Sequence, residues 1–417
     1  MSKIAIVRLS ALGDVVVSAS VLGGLGGLLG GLLVADKKEK LQIDWFVDER
    51  FGGVLRDSPC ISTLHTLPFK KWLKSPFGIY KIWRYARSCG QYDVVIDMQG
   101  LLKSAIVGKC LQSKKFVGFS AKGCREGLAS VFYTHKVDVP YHTNILVRNF
   151  LVAFSSFGVD VRNILRRIGR EDLYEKGMEE IQNTTNIEKL ESTVMNLRGF
   201  KRVLDLRGAG FGIDISKVVD FSDRFLSYQK SIALKKSAQT NKHDTKTNAQ
   251  NLPKEIVESK KFLFVIEASI KEKTYPIDKY CTLAQLLQKH YENIAVYVVW
   301  NDDEKKADAL TTLLESKNIN AIKLPRLDFN SIKFVLKNMD IVIGGDTGIT
   351  HLAWAIWQPC AIVLLGNRLD SSGKNMRDSR LKRVLLGNPF VLSEGEEFEI
   401  ASIAPAKIFE CVKENLE

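Results

Sequence analysis

Short aliphatic runs alternate along the N-terminal part of the chain with segments of helical length. Four runs consist mostly of apolar residues, Lys3–Leu9, Gln42–Val47, Asp93–Asp97 and Lys115–Phe119. Such runs are typical of strands buried in a parallel sheet that helices cover on both faces. The alternation therefore predicts a mainly parallel, doubly wound α/β unit.

A second series of the same kind occupies the C-terminal part of the chain. It starts with the apolar run Phe262–Ala268 and contains four further candidate strands, Ile294–Trp300, Ala321–Leu324, Asp340–Gly344 and Ala361–Leu365. Helical segments such as Ser331–Asn338 separate most of them, and the amphipathic segment Ile403–Leu416 follows. Two such units are expected to face one another across a cleft.

The length of 417 residues favours two domains of ordinary size. We expect Rossmann-like domains over 1–170 and 261–395, a linker with an irregular insertion over 171–260, and a C-terminal helix over 396–417. Within the insertion, Lys235–Lys254 has no aromatic and almost no aliphatic residue. Such a segment buries too little apolar surface to order itself, so it is predicted to be flexible.

One uncharged stretch, Val15–Ala35, is long enough to span a bilayer. It contains a glycine repeat over Val21–Gly31, and each glycine weakens a helix by up to about 1 kcal/mol relative to alanine. A strand precedes the stretch and another follows it. A buried crossover helix between two parallel strands explains this order without a membrane.

The segment Lys70–Arg87 combines basic and aromatic residues. Its residues Ile79, Ile82, Trp83 and Ala86 recur at helical spacing, which predicts one buried helix face. The basic residues would then form a solvated face.

Composition narrows the class of partner. Sixty Lys and Arg against 47 Asp and Glu give a net charge of +13, which favours phosphates, acidic lipid or nucleic acid. The sequence contains no RNP-like aromatic motif and no zinc-finger spacing, so only the charge supports nucleic acid as a partner. The 7 cysteines form no CxxC pair, which fits a reducing cytoplasm, and the 6 histidines have no metal-ligand spacing.

The most informative stretch is Ile341–Trp354, IVIGGDTGITHLAW. It is predicted to form a strand, a tight glycine turn and the first turn of a helix. The free N–H groups of such a helix end suit a phosphate or diphosphate, and glycine lets an anion approach closely. Alternatively, Asp346 or Thr347 caps a structural helix. The spacing alone leaves both interpretations open.

Four stretches carry a family resemblance: RLSALGD (Arg8–Asp14), VIDMQGLLKSA (Val95–Ala105), REGLASVFY (Arg125–Tyr133) and GGDTGITHLAWA (Gly344–Ala355). With these stretches in this order, the chain resembles the bacterial lipopolysaccharide heptosyltransferases. The third stretch following the second favours type I of that family over type II.

The resemblance implies the GT-B fold, α/β with two Rossmann-like doubly wound domains facing an interdomain cleft. It also implies inverting, metal-independent transfer of L-glycero-D-manno-heptose from ADP-heptose to the Kdo of Kdo2-lipid A, with no cofactor. The expected location is the cytoplasmic face of the inner membrane, as a peripheral protein on its anionic surface, and no nucleic acid is expected as a partner. The alternatives are heptosyltransferase II or III with another acceptor, or a non-catalytic nucleotide-sugar-binding protein at the membrane.

Residue roles follow from the same resemblance. Asp14 would be the general base, with a helix N-cap as its alternative, and Lys273 would neutralise the diphosphate. The expected donor-binding residues are Ser269, Lys273, Glu304, Asp346, Thr347, Gly348 and His351. Asp303 is the alternative to Glu304. The expected acceptor-binding residues are Lys70, Lys71, Lys74, Arg125 and Arg148.

Overall fold

A computed structural model describes residues 3–24, 41–139, 141, 145–156, 210–214, 216, 259–268, 273–356, 361–364, 391–392 and 400–417. The chain divides into two compact units. Unit one is Met1–Gly212 with Leu369–Pro389, and unit two is Ile213–Arg368 with Phe390–Glu417. The predicted flexible segment Lys235–Lys254 lies outside the described residues, and the predicted domain boundaries stay predictions.

Unit one contains a six-stranded parallel sheet. Its strands are β1 (Lys3–Val7), β2 (Gln42–Asp48), β3 (Thr63–Leu67), β4 (Gln91–Asp97), β5 (Gln112–Phe119) and β6 (His135–Val137). Their order in the sheet is β3-β2-β1-β4-β5-β6. Strands β1 to β3 are therefore added in one direction across the sheet. Strands β4 to β6 are added in the opposite direction, with β4 next to β1.

The helices of unit one are α1 (Leu12–Ala19), α2 (Leu22–Gly24), α3 (Phe69–Leu73), α4 (Gly78–Ser88), α5 (Leu102–Cys110) and α6 (Ile145–Ser155). Two 3₁₀ helices span Gly52–Leu55 and Gly127–Phe132. A buried hydrogen bond joins α6 to α1, because Asn149 Nδ2 donates to Ser18 Oγ at 2.9 Å.

Unit two repeats this arrangement. Its parallel strands are β7 (Lys260–Val265), β8 (Ile294–Val299), β9 (Ala321–Lys323), β10 (Ile341–Gly345), β11 (Ala361–Leu364) and β12 (Val391–Leu392), in the order β12-β11-β10-β7-β8-β9. The helices are α7 (Ile277–His290), α8 (Glu304–Ser316), α9 (Phe329–Lys337), α10 (Gly348–Ile356) and α11 (Pro405–Leu416), with a 3₁₀ helix at Ile400–Ser402. The predicted α/β class with two doubly wound sheets is confirmed.

Hydrophobic periodicity explains how unit two forms. Every residue of β8 is buried, as expected for a strand covered on both faces. Helix α7 buries Tyr280, Leu283, Ala284 and Leu287, the i, i+3, i+4, i+7 stripe of a helix that packs on a sheet. The Tyr280 hydroxyl donates to the Val265 carbonyl at 3.1 Å, so its polar end is satisfied inside the core.

Three local expectations differ from the structure. The edge strands β3, β6 and β12 were not predicted, because TLHTL of β3 is half polar and the other two span only three and two residues. Strand β10 continues through Gly345, so the turn before α10 consists of Asp346 and Thr347 instead of the two glycines. Helix α4 buries Ile82 and Ala86 but leaves Ile79 and Trp83 exposed, so the predicted single buried face is wrong. The helical periodicity of a sequence does not show how much of a helix its neighbours cover.

Among the residues with a described structure, no helix has the length and apolar composition needed to cross a bilayer. Only the first part of Val15–Ala35 is described, and it forms α1 and α2. The remainder of that stretch, and most of its glycine repeat, lies outside the described residues.

Candidate active site

Each sheet has one reversal point, where the direction in which successive strands are added across the sheet changes. In unit one this point lies between β1 and β4, and in unit two between β7 and β10. Ligands of open parallel sheets bind outside the carboxyl ends of the strands at such a point. The loops after β1, β4, β7 and β10 therefore define a candidate site in each unit.

Three predicted donor residues meet at the reversal point of unit two. Asp346 follows β10 directly, and its Oδ2 accepts from Lys273 Nζ at 2.6 Å. Its Oδ1 lies 2.8 Å from His351 Nε2, which reaches back from the first turn of α10. All three side chains are largely buried. Asp346 therefore holds a lysine and a histidine on opposite oxygens of one carboxylate.

The electrostatic balance keeps Asp346 ionised. Burial by itself would raise its pKa, but the contacts with His351 and Lys273 hold the pKa of the carboxyl well below its usual range. A carboxylate that stays charged in a buried position fixes the geometry of its donors. Lys273 is accordingly a positioned cation and not a solvated loop lysine.

Thr347 occupies the position before α10 and joins the turn to the helix. Its N–H donates to the Gly345 carbonyl at 2.8 Å, and its Oγ1 accepts from the Thr350 N–H at 3.4 Å. The capping interpretation therefore applies to Thr347. It does not exclude anion binding, because the first N–H groups of a helix have no acceptor within the helix. Gly348 begins α10 and contributes one of them.

The two glycines that end β10 allow a close approach of neighbouring chain. A Cβ at Gly345 would lie 2.1 Å from the Lys273 carbonyl oxygen, and one at Gly344 would lie 2.6 Å from Val265 Cβ. Glycine is needed here because the Lys273 backbone packs directly on the strand end. Gly345 thus admits the segment that carries Lys273, and Gly344 admits the neighbouring strand β7.

The loop after β8 contains the predicted ribose residues. Asp303 caps α8, since its side chain accepts from the Lys306 N–H at 3.0 Å. Glu304 is exposed and pairs with Lys323 at 2.8 Å. Glu267, just after β7, accepts from three consecutive N–H groups of this loop, Asn301, Asp302 and Asp303, at 3.0–3.2 Å. Sequence reasoning missed Glu267, whose position after a strand was the available signal.

In unit one the predicted base, Asp14, is the third residue of α1. The N-cap of that helix is Ala11, so the alternative that Asp14 is the N-cap is wrong. Its Oδ2 lies 3.0 Å from Arg8 NH2, and the Arg8 side chain is 4% exposed against 44% for Asp14. The buried guanidinium also donates to the Met98 carbonyl. Asp14 is thus a solvent-accessible carboxylate paired with a buried guanidinium.

Three further polar residues surround this turn and were not assigned roles from the sequence. Lys103 Nζ donates to Ser10 Oγ at 2.6 Å, and Gln99 Nε2 donates to the same oxygen at 3.2 Å. Gln99 Oε1 in turn accepts from the Leu9 N–H at 2.9 Å. Burial lowers the pKa of Lys103. All three lie in the stretches RLSALGD and VIDMQGLLKSA, after adjacent strands, which was the available signal.

The turn after β4 is built on the buried Asp97. Its carboxylate accepts from the Gln99 N–H at 2.7 Å, from Ser104 Oγ at 2.8 Å and from the Tyr133 hydroxyl at 2.8 Å. Burial raises the pKa of Asp97. These bonds tie VIDMQGLLKSA to REGLASVFY, so the second and third stretches of the resemblance form one folded unit.

Comparison with known proteins identifies the family. The model of glycosyltransferase family 9 (heptosyltransferase) matches residues 79–178 and 220–367, more than half of the 417 residues. The chain belongs to glycosyltransferase family 9. It is therefore a glycosyltransferase, and the predicted family and enzyme class are confirmed.

Individual relatives cover nearly the whole chain. Lipopolysaccharide heptosyltransferase 1 of Campylobacter coli is 26% identical over 99% of this chain and 98% of its own. The structure of E. coli heptosyltransferase WaaC with ADP has a TM-score of 0.63 at 18% identity, with 99% of each chain covered. E. coli heptosyltransferase II has a TM-score of 0.58 at 13% identity over 99% and 98%. At these identities the two structures show the fold, and the predicted GT-B class is confirmed.

The predicted acceptor-binding residues of this family 9 chain differ in their exposure to solvent. Lys70 and Lys71 lie exposed on α3, with Lys71 3.5 Å from Glu49, and Lys74 follows the helix. Arg125 is exposed before the second 3₁₀ helix. Arg148 is buried: it donates to the Gly123 carbonyl at 2.6 Å and stacks on Phe119. This placement favours a structural role for Arg148. Ser269 lies outside the described residues.

Proposed function

We propose that this family 9 enzyme transfers L-glycero-D-manno-heptose from ADP-heptose to the Kdo of Kdo2-lipid A. The observation that carries the proposal is the buried Asp346 group, which presents Lys273 and His351 beside the N-terminus of α10. A fixed cation next to free helix N–H groups suits a diphosphate. The Campylobacter coli relative, named for heptose transfer in lipopolysaccharide, supports the sugar and the acceptor class.

On the donor side, Lys273 meets the diphosphate of ADP-heptose, and the Thr347 hydroxyl and the Gly348 N–H donate to phosphate oxygens. Negative charge grows on the diphosphate as its bond to the anomeric carbon breaks. Lys273 and the positive end of α10 stabilise that charge. Asp346 keeps Lys273 in place and His351 lies at the same turn, where it meets the nucleotide or the heptose. Glu304 binds the ribose.

On the acceptor side, Asp14 is the general base. The Kdo hydroxyl oxygen attacks the anomeric carbon, its proton passes to the Asp14 carboxylate, and the electron pair of the broken bond leaves with ADP. Attack opposite the leaving group inverts the anomeric configuration. Arg8, 3.0 Å from Asp14, orients the carboxylate. Lys70, Lys71, Lys74 and Arg125 meet the anionic groups of the acceptor.

The proposal includes two further features. Lys273 and α10 supply the charge stabilisation, so the reaction requires no catalytic metal and the rate is expected to be unchanged in EDTA. The acceptor is a lipid, so the enzyme works as a peripheral protein on the cytoplasmic face of the inner membrane. The net charge of +13 favours that anionic surface.

The test is mass-spectrometric detection of the product from ADP-heptose and Kdo2-lipid A, with EDTA present. A mass increase of one heptose on the Kdo acceptor supports the proposal. Transfer only to acceptors that already carry a first heptose would assign the enzyme to type II or III. Binding of ADP-heptose without turnover on any acceptor would favour a non-catalytic nucleotide-sugar-binding protein.

A further inference from the structure

Large apolar side chains are exposed over one short segment of unit one. Phe77 is 68% exposed, Ile79 64% and Trp83 44%, and Leu73 and Tyr80 are also more than half exposed. These five lie within eleven consecutive residues, on α3, on α4 and in the turn between them. Scattered exposed apolar residues are ordinary, but a contiguous set marks an interaction surface.

Helix α4 is apolar on two faces. Ile82 and Ala86 form the buried face, and Tyr85 is anchored to β3 because its hydroxyl lies 3.0 Å from His65 Nδ1. Residues 79, 80, 83, 84 and 87 share the solvent face at helical spacing. The rings of Tyr80 and Trp83 stack there at 5.9 Å, so the exposed aromatic residues form one patch.

The turn between the two helices is a fixed part of the fold. Ser75 N–H donates to the Trp72 carbonyl and Gly78 N–H to the Ser75 carbonyl, both at 2.9 Å. Gly78 is buried against Trp72, where a Cβ would lie 2.1 Å from the carbonyl oxygen. An ordered backbone therefore presents Phe77 to solvent.

The charge around this patch has one sign. From Ser58 to Tyr92 the sequence contains no Asp or Glu, whereas it contains six basic residues, Lys70, Lys71, Lys74, Lys81, Arg84 and Arg87. Lys81, Arg84 and Arg87 are exposed on α4 among the aromatic residues, and the Arg87 guanidinium lies 5.7 Å from the Trp83 ring centre. Lys71 lies 3.5 Å from Glu49, but the patch as a whole combines exposed aromatic groups with an excess of positive charge.

From this geometry we infer that the C-terminal end of α3, helix α4 and their turn form the surface on which the enzyme docks to an anionic bilayer. This docking surface consists of Leu73, Phe77, Ile79, Tyr80, Lys81, Trp83, Arg84 and Arg87. The inference rests on the proposed function, since a lipid acceptor gives the enzyme a reason to bind a membrane. Aromatic residues prefer the interface of a bilayer, and basic residues beside them bind anionic headgroups.

A protein partner fits these observations less well. The centre of a protein interface is depleted of lysine, whereas Lys81 lies among the exposed rings. A bilayer accepts the mixture, because long basic side chains reach the headgroups while apolar groups enter the interface. The docking surface includes neither Asp14 nor Lys273, so it is expected to control location and not chemistry.

The first test is co-sedimentation with vesicles of phosphatidylcholine, with and without 30% phosphatidylglycerol, in the absence of donor and acceptor. One variant removes apolar groups (Phe77→Ser, Ile79→Ser, Trp83→Ser) and another reverses charge (Lys81→Glu, Arg84→Glu, Arg87→Glu). The matched control reverses three exposed lysines of unit two (Lys305→Glu, Lys317→Glu, Lys337→Glu). Unchanged melting temperatures would confirm that the variants fold.

Wild type is expected to bind the anionic vesicles and to bind phosphatidylcholine weakly. Both docking-surface variants should lose more than about tenfold in partition coefficient, and the unit-two control less than about threefold. Equal losses in all variants would show a general charge effect and overturn the inference. So would anionic-vesicle binding that stays at the wild-type level in both docking-surface variants.

The second test locates the contact. Brominated phosphatidylglycerol quenches tryptophans that enter the bilayer interface, so vesicles should quench wild type more than the Trp83→Phe variant. Equal quenching would place the contact elsewhere. Sedimentation velocity addresses a second copy of this chain as the occupant: a dimer that the Phe77→Ser, Ile79→Ser, Trp83→Ser variant dissociates, without loss of vesicle binding, would also overturn the inference.

Failure of the docking surface is distinguishable from failure of the proposed function. With the acceptor dispersed in detergent micelles, all variants should transfer heptose at the wild-type rate. No transfer by wild type, together with intact vesicle docking, would remove the proposed function and leave the surface. Transfer by wild type without vesicle binding would remove the docking surface and leave the proposed function.

Discussion

Lys273 Nζ lies 2.6 Å from Asp346 Oδ2, across 73 residues of sequence. The cation that we propose for the donor diphosphate is thus already paired with a carboxylate of the chain. The pair holds the lysine at the end of β10, where the first turn of α10 begins. A diphosphate that binds there meets a lysine side chain that is already ordered, so binding does not cost the entropy of ordering it.

Replacing Lys273 with alanine is expected to weaken ADP-heptose binding by about 10- to 100-fold, because a charge-assisted hydrogen bond to the diphosphate is lost. The single-turnover rate should fall as well, since the lysine also stabilises the leaving group. Calorimetry and rapid-quench kinetics measure the two effects. Lys305→Ala, at an exposed lysine of α8, is the control and should change neither. Unchanged affinity and rate in Lys273→Ala would remove this residue from the site.

Gly345→Ala tests why glycine ends β10. The added Cβ would lie 2.1 Å from the Lys273 carbonyl oxygen, so the segment that carries Lys273 must move. We expect a loss of about 1–3 kcal/mol in the free energy of unfolding, together with weaker donor binding. Denaturant unfolding and calorimetry provide the measurements.

The control for Gly345→Ala is Gly127→Ala, in which the new Cβ meets the nearest atom, the Ala121 carbonyl oxygen, at an ordinary 3.4 Å. It should be nearly neutral in both measurements. Normal stability and donor affinity in Gly345→Ala would show that the close packing at this strand end is dispensable.

Asp14→Asn preserves shape but removes the carboxylate that we propose as the base. Donor affinity should survive, while the single-turnover rate falls by about 10²–10⁴-fold. Asp93→Asn, a carboxylate paired with Lys114 at 2.7 Å near the start of β4, is the control for loss of a paired aspartate in unit one. Near-normal turnover in Asp14→Asn would eliminate this residue as the base.

A buried polar cluster in unit one predicts how stability depends on pH. Burial of His65 opposes its protonation, but contact with Asp44, 3.6 Å away, and with Cys89 raises its pKa to about 9 from 6.5. The histidine therefore stabilises the fold fully below pH 6.5, and this contribution is lost as the pH rises through about 9. The contribution amounts to about 3 kcal/mol.

The measurement is the free energy of unfolding of wild type and His65→Gln between pH 6 and 10. The advantage of wild type should shrink by about 3 kcal/mol over that interval. His135→Gln, at an exposed histidine of β6, is the control for loss of a surface imidazole. A difference between wild type and His65→Gln that does not vary with pH would contradict the ion pair with Asp44.

Local pattern was sufficient for much of the fold. The buried strands β1, β2, β4, β7, β8 and β10 were predicted from aliphatic runs, and α10 from the spacing after Asp346, because burial on both faces requires apolar side chains throughout a strand. Strand β3, the only one of the first five that carries little apolar surface, was not recognised. The Val95–Ala105 and Arg125–Tyr133 stretches were recognised as motifs, but their bond through Asp97 and Tyr133 was not.

The chemistry of the candidate site and the docking surface depended on the tertiary structure. The strand order places β7 beside β10, and only that pairing brings Lys273 to Asp346 and makes Gly345 a packing requirement. In the same way, the helical period of α4 was visible in its sequence, but the packing of its neighbours determined that Ile82 is buried and Trp83 exposed. Periodicity describes the surface of one element, whereas burial and charge pairing arise between elements that are distant in sequence.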